Sequence, residues 1–461
     1  MLEGLDASIL SLSQVPDLNL GCRLDAEFFS KRALLALDGI RERANEPLGS
    51  LCKRIQHPTE VKREYEDHGL LTVMAKDVRS NRVDLADPSF MPGELRQTVT
   101  RNRLNKGDIL VTRTGANYGQ AAPWKESIEA FACADILVIR EPKIPSGYLS
   151  SFLESEIGKP LVLRGGYGAG QPHIAPSYLA NLPIPRFDWL EKEVDDTVEQ
   201  SGLLERNASD LLRAAELTLL EALGLANWAG PEPLTYTAIS GSVREASRLD
   251  SQFFAPRIQA LLDQLSGDGR VMSDVARPRR DRFLSWDCDA FNYIEIGDVD
   301  EYGSAESTLI PACDAPSRAT WHVRAGDVIT SSVRPIRRLT AMIKLEQDGF
   351  VCSSGFVVME PREIPPEVLL TYLRLPVICE LLDLYASASM YPAIKEADIF
   401  SLPLPILPNR VIDEVVAQVG SARLARARSA QLLQAAKRSI KTAIENGETV
   451  ALRELRETEG V

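Results

Sequence analysis

Arg23-Leu24-Asp25-Ala26-Glu27-Phe28-Phe29 and Arg248-Leu249-Asp250-Ser251-Gln252-Phe253-Phe254 are two copies of one heptapeptide, RLDAEFF and RLDSQFF, one in each half of the chain. Internal repetition is settled first in a chain of 461 residues, because a missed repeat misassigns every element. Three further landmarks recur in the same order and at nearly the same separation. Lys106-Gly107-Asp108-Ile109-Leu110-Val111-Thr112 is matched by Ala325-Gly326-Asp327-Val328-Ile329-Thr330-Ser331. Both read as a Gly-Asp turn entering a buried strand. Pro172-His173-Ile174 through Asn181-Leu182-Pro183-Ile184-Pro185 is matched by Pro392-Ala393-Ile394 through Ser401-Leu402-Pro403-Leu404-Pro405.

Each Leu-Pro-x-Pro stretch is kept out of helix by its prolines. A helical pattern follows each, over 188–225 and 409–447. Leu204, Ala208, Leu211, Ala215, Leu219 and Ala222 draw one apolar stripe, and Leu432, Ala436, Ile440 and Ala443 draw its counterpart in the second pattern. Small residues on both stripes let two helices approach closely and pair in antiparallel fashion. Any two long helices share an Ala/Leu stripe, so the helices alone decide nothing. Four landmarks in one order point to a duplication. The expected fold is mixed α/β, with two pseudo-repeated domains, 1–187 and 229–408, separated by long paired helices at 188–228 and 409–461, the latter including a C-terminal tail.

Composition is that of an ordinary folded chain, 44% hydrophobic and 25% charged. The start, MLEGLDASILSLSQ, has neither a basic region nor a long apolar run, and no later segment stays apolar long enough to span a bilayer. The cytoplasm is the expected location. Seven scattered cysteines without a CxxC pair suggest neither a disulfide framework nor a zinc ribbon. The net charge of -13 argues against a free-standing, non-specific DNA binder. It leaves room for local basic clefts, since binding follows the local field and not the sum.

The arrangement of module, helix, module, helix, with RLDAEFF or RLDSQFF opening each module and LPIP or LPLP closing it, resembles the specificity subunits of type I restriction-modification systems. The resemblance covers nearly the whole chain. It implies that each module is a target recognition domain for one half of a split DNA site, with the paired helices as spacer. A helix of about 38 residues would extend about 57 Å. That exceeds one duplex turn of roughly 34–36 Å. The resemblance also implies DNA methyltransferase subunits bound along the spacer, joined by restriction and translocase subunits. S-adenosylmethionine and ATP are then expected on those partners, with no cofactor on this chain. It does not separate a classical type I subunit from a homologue serving another anti-phage system.

Bases are read by Arg, Asn, Gln and Lys on rigid elements. After the first GDIL strand comes Arg113-Thr114-Gly115-Ala116-Asn117-Tyr118-Gly119-Gln120, where the glycines let backbone approach DNA and Arg113, Asn117 and Gln120 suit bidentate contacts. Tyr118 completes the set. The corresponding stretch of the second module carries Arg334, Arg337 and Arg338. Gln171 and His173, beside the glycine-rich 165–170 segment, are further contact candidates, with Tyr391 and Lys395 as second-module counterparts. Surface ion pairing is the plain alternative for these arginines, and phosphate contact or solvation for the basic run Arg277-Pro278-Arg279-Arg280-Asp281-Arg282.

Catalytic readings find little purchase. The glycine-rich segment is followed by no Lys-Ser/Thr and no helix, so it is not a nucleotide loop. Asp87-Pro88-Ser89-Phe90 is one residue from the D-P-P-F/Y signature of amino-methyltransferases, but no strand with a suitable glycine loop precedes it. Four dispersed histidines, no HExxH and no G-x-S-x-G remove familiar metal and serine sites. The expectation is a non-catalytic subunit. Its rival is a scaffold whose degenerate modules organise a defence complex without reading sequence.

Overall fold

The computed structural model describes Val15, Arg23 and residues 25–460 other than 63, 86, 116, 169, 247–248 and 387–392. Contacts divide the chain into two units, Met1–Glu205 with Arg426–Val461, and Arg206–Ala425.

Each unit holds a four-stranded antiparallel sheet of the same strand order. In the first, Cys52–Gln56, Ile136–Pro142, Ile109–Thr112 and Ala121–Pro123 lie side by side. In the second the order is Ala276–Pro278, Phe356–Pro361, Val328–Ser331 and Thr340–Met342. Register agrees too: Thr112 faces Ile136, and Ser331 faces Phe356. Both GD-entered strands are buried at every position, which is why they read as continuous and not alternating apolar runs. A second sheet accompanies each, and in both a parallel pairing stands out, Thr72 with Phe131 and Tyr293 with Val351.

The Gly-Asp turn is the same device twice. Gly107 and Gly326 take left-handed φ angles of 94° and 83°. The buried carboxylates of Asp108 and Asp327 then accept the backbone N–H three residues back, from Asn105 at 2.9 Å and Arg324 at 2.8 Å. Each carboxylate also pairs with an arginine, but from a different strand in each unit: Arg140 from Ile136–Pro142, and Arg279 from the end of Ala276–Pro278. A buried carboxylate requires such a partner, and neighbouring strands supply it equally well.

The long helices Leu190–Ala222 and Asn409–Asn446 pair antiparallel, each giving one half to each unit. In the first unit Leu190, Val194 and Val198 share a core with Ala436, Ile440 and Ala443, and the Ser201 and Ser429 hydroxyls lie 2.9 Å apart. In the second, Ala215, Leu219 and Leu223 share a core with Val415 and Val419. Ala222 is exposed, so Leu223 takes the place the stripe assigned to it. At φ 95° Gly447 breaks the second helix, and the expected tail forms a separate helix, Glu448–Glu459. Among the described residues no helix is long and apolar enough to cross a membrane.

The C-terminal helix also caps the first long helix. Glu448 Oε1 accepts the N–H groups of Trp189 at 2.7 Å and Leu190 at 2.8 Å, donors that a helix start otherwise leaves unpaired. Replacing Glu448 with alanine is expected to cost the first unit about 0.5–2 kcal/mol, the usual worth of a cap. Urea unfolding with hydrogen exchange read in each unit checks the size and the location of the loss.

Candidate nucleic-acid interface

In the first unit the residues picked from sequence meet in one loop cluster. The strand Ile109–Thr112 runs into the loop 113–120, which returns to it: the Thr112 N–H donates to Gln120 O at 2.8 Å and the Tyr118 N–H to Gly115 O at 3.2 Å. A short hairpin, Gly166–Tyr167 with His173–Ile174, joins from the glycine-rich segment. Thr114 bridges to His173, and the Ile174 N–H donates to Arg113 O at 3.1 Å. Arg113, Asn117, Tyr118, Gln120, Gln171 and His173 are thus assembled, with Asn117 and Gln171 exposed and the other four half-buried. Tyr118 is turned inward, its hydroxyl donating to Leu163 O at 3.4 Å. Among the described residues Arg113 Nε, Gln120 Oε1 and His173 Nδ1 are buried without a hydrogen-bond partner. Such a group costs about 1–3 kcal/mol while unpaired, so each calls for a partner that the described residues do not supply.

The RLDAEFF motif supports this cluster from behind. Arg23 pairs with Asp25, holding its carboxyl below the usual range, and donates to Arg164 O at 3.1 Å. Arg164 lies 3.8 Å over the Phe28 ring and donates to Phe28 O. Gly165 and Gly166 follow it because nothing larger fits: an added Cβ would lie 2.2 Å from the Tyr178 ring and 2.9 Å from the Tyr118 ring. In RLDSQFF, Phe253 meets the Tyr385 ring at 5.9 Å, as Phe28 meets the Tyr178 ring at 6.3 Å. Arg248 lies outside the described residues.

The second unit repeats these four contacts of the loop. The Ser331 N–H donates to Leu339 O at 2.9 Å and the Arg337 N–H to Arg334 O at 3.0 Å. Val333 bridges to Ala393, and the Ile394 N–H donates to Ser332 O at 2.9 Å. This register sets Ser332 opposite Arg113, Leu339 opposite Gln120 and Ala393 opposite His173. Arg334 corresponds to Gly115 and Arg338 to Gly119. All four are left-handed, with φ of 94° and 80° at the glycines and 50° and 58° at the arginines. A non-glycine residue held so costs about 1–3 kcal/mol, a cost found mainly where function demands the position.

The three arginines differ in their engagement. Arg334 and Arg337 are exposed. Arg338 is half-buried, pairs with Glu216 on the first long helix, has a buried Nε without a partner, and offers its carbonyl to Arg374 at 2.9 Å. Lys395 is exposed at the start of the helix Glu396–Phe400. Tyr391 lies outside the described residues.

Other segments are assigned more plainly. The basic run is largely neutralised, Arg277 by Glu360, Arg279 by Asp327 and Glu360, and Arg280 by Glu396. Asp87 pairs with Lys76, and Ser89–Met91 is a strand against Leu70–Val73. Arg318, which carries no mark in the sequence, is exposed and adjoins the second loop: its carbonyl accepts the Ser354 N–H at 2.8 Å, and Gly355 O accepts the Ser332 N–H at 2.8 Å. Only the fold makes that connection.

No family model and no curated protein matches the chain. Solved structures do. A chain from a type I restriction-modification system, described for its complex assembly and conformational transition, is 16% identical over 88% of this chain and 98% of its own, with a TM-score of 0.28. The HsdS subunit from Thermoanaerobacter tengcongensis is 16% identical over 88% of this chain and 97% of its own, at 0.27. The type I restriction-modification S subunit from M. genitalium is 12% identical over 90% of this chain and 95% of its own, at 0.35.

Proposed function

We propose that this chain is a sequence-specific double-stranded DNA-binding subunit, itself without catalysis, that directs methyltransferase and restriction partners to a bipartite site in the cytoplasm. The observation that carries this reading is the pair of loops, 113–120 and 332–339, with one hydrogen-bond frame and different side chains at each equivalent position. Two readers of unlike half-sites need that combination, since the frame fixes the approach while the side chains carry the sequence information. The acidic total charge suits a reader that relies on partners for part of its affinity. S-adenosylmethionine and ATP belong, on this reading, to those partners.

The test is purification of the tagged chain from its host with its bound proteins, combined with methylation mapping of the genome with and without its gene. A co-purifying methyltransferase and loss of methylation at one split motif are expected. A stable complex with no motif-specific change would replace this reading with the scaffold. Within the same assay, Arg113→Ala is expected to lose about 1–3 kcal/mol of base discrimination in one half-site only, the worth of one bidentate contact. Uniform weakening at every sequence would make Arg113 a phosphate contact instead.

A further inference from the structure

Cys288 and Cys313 are far apart in sequence, and strand pairing in the second unit brings them together. The strand Ala290–Ile294 runs antiparallel to Thr308–Pro311, and the outermost pair of that ladder is Ala290 with Pro311. Beyond it the Ala312 N–H donates to Asp289 O at 2.8 Å, which carries the register one residue further. The next residues outward on the two chains are Cys288 and Cys313. Both chains turn there, and the short helical turns Ser285–Asp287 and Ala312–Asp314 lie against one another. Antiparallel partners keep their Cα atoms about 4.5–5.5 Å apart, within the roughly 4.4–6.8 Å that a disulfide spans.

Access separates these two cysteines from the buried ones. Cys288 and Cys313 are exposed, as are Ala290 and Pro311, while Phe291 packs inward with Phe283 and Tyr293. Cys52, Cys352 and Cys379 are buried, and burial pushes each of those thiols up. A thiol reacts as its thiolate, so the buried three stay inert.

We propose that Cys288 and Cys313 form a reversible disulfide by exchange with a low-molecular-weight disulfide such as oxidised glutathione. The thiolate of one cysteine attacks the reagent, expels one glutathione thiolate and is left as a mixed disulfide. The second thiolate then attacks the protein sulfur of that bond and expels the other glutathione. Two protein thiols are oxidised, the reagent is reduced to two thiols that take up their protons, and excess reduced glutathione reverses both steps. Disulfides of this transient kind are the ones a reducing compartment permits. The bond staples the segment 312–319, whose turns close through the Ala315 N–H on Ala312 O and the Ala319 N–H on Pro316 O. Arg318, at the far end of that segment, adjoins the second loop, and the inference holds whatever that loop binds.

The experiment treats the full-length chain with oxidised glutathione under native conditions, alkylates it, and maps unreduced peptides by mass spectrometry, alongside Cys288→Ser and Cys313→Ser. The native chain should lose two of its seven thiols, yield one cross-linked peptide pair holding Cys288 and Cys313, and show slower amide exchange over 312–319. Excess reduced glutathione should restore all three. Each serine variant should instead retain glutathione on its remaining cysteine, because no second thiol resolves the mixed bond. Glutathione left on both cysteines of the native chain, a bond joining two chains, or no reaction at either thiol would overturn the inference. So would an internal bond that leaves exchange over 312–319 unchanged.

Discussion

Arg140→Ala is expected to destabilise the first unit by about 3–5 kcal/mol, the largest effect of any single substitution considered for this chain. Arg140 and Asp108 are both almost wholly buried, with side chains 5% and 1% exposed. The guanidinium also donates to Gln56 Oε1 at 3.2 Å and Arg101 O at 2.9 Å; its removal strands the Asp108 charge and the Gln56 oxygen together, while Arg101 O keeps its bond from Gln56 Nε2. A truncated partner of a buried pair costs far more than the pair itself contributes. The double variant Arg140→Met with Asp108→Asn should accordingly recover part of the loss. Arg279→Ala, at the equivalent turn of the second unit, should cost less, because Arg279 is 20% exposed and water can reach the site. Hydrogen exchange by mass spectrometry across a urea series assigns each loss to its unit, which a single melting curve of a two-unit chain does not.

Arg374→Met is expected to cost the second unit about 2–4 kcal/mol and to loosen the loop 334–338. Arg374 is buried and donates to three backbone carbonyls, those of Arg338 at 2.9 Å, Thr340 at 3.2 Å and Glu301. Burial and then the neighbouring Arg338 charge both oppose its charged form, lowering its pKa. Methionine keeps much of the volume and none of the donors. Faster amide exchange at 334–338, ahead of global unfolding, is the expected signature; exchange raised equally throughout the unit would show that Arg374 supports the core and not the loop. Arg374→Lys should resemble methionine more than arginine, since one ammonium cannot hold three divergent carbonyls.

The duplication, the long helices and the GD-entered strands were legible because each leaves a local signature: a repeated heptapeptide, a stripe at helical spacing, a Gly-Asp turn before an apolar run. The loop residues Arg113, Asn117 and Gln120 were legible by chemistry, and the fold brings them to Gln171 and His173 through the bridge at Thr114. The match of Thr112 to Ser331 already carries the register that sets Arg334 against Gly115; what the sequence hid is that both positions hold one left-handed backbone conformation while their side chains differ. The neutral character of the basic run was hidden as well, since Glu360 and Glu396 come to it from across the unit. Arg318 lacked any local mark, being tied to the loop only through the Ser354–Gly355 turn.

The unequal continuity of the two units bears on how the chain is made. Residues 206–425 form one uninterrupted stretch, while the other unit draws on both 1–205 and 426–461. During synthesis residues 25–205 emerge before 206–425, yet Ala436, Ile440, Ala443 and Leu455 of their core are translated after the whole of 206–425. Domains generally fold as units in the order they are translated, and here that order is inverted, with the later-starting unit able to close while the earlier one waits on the ribosome. A transcript cut short after the second unit would yield one closed unit and one open one, so both units close only on a message that runs through 426–461.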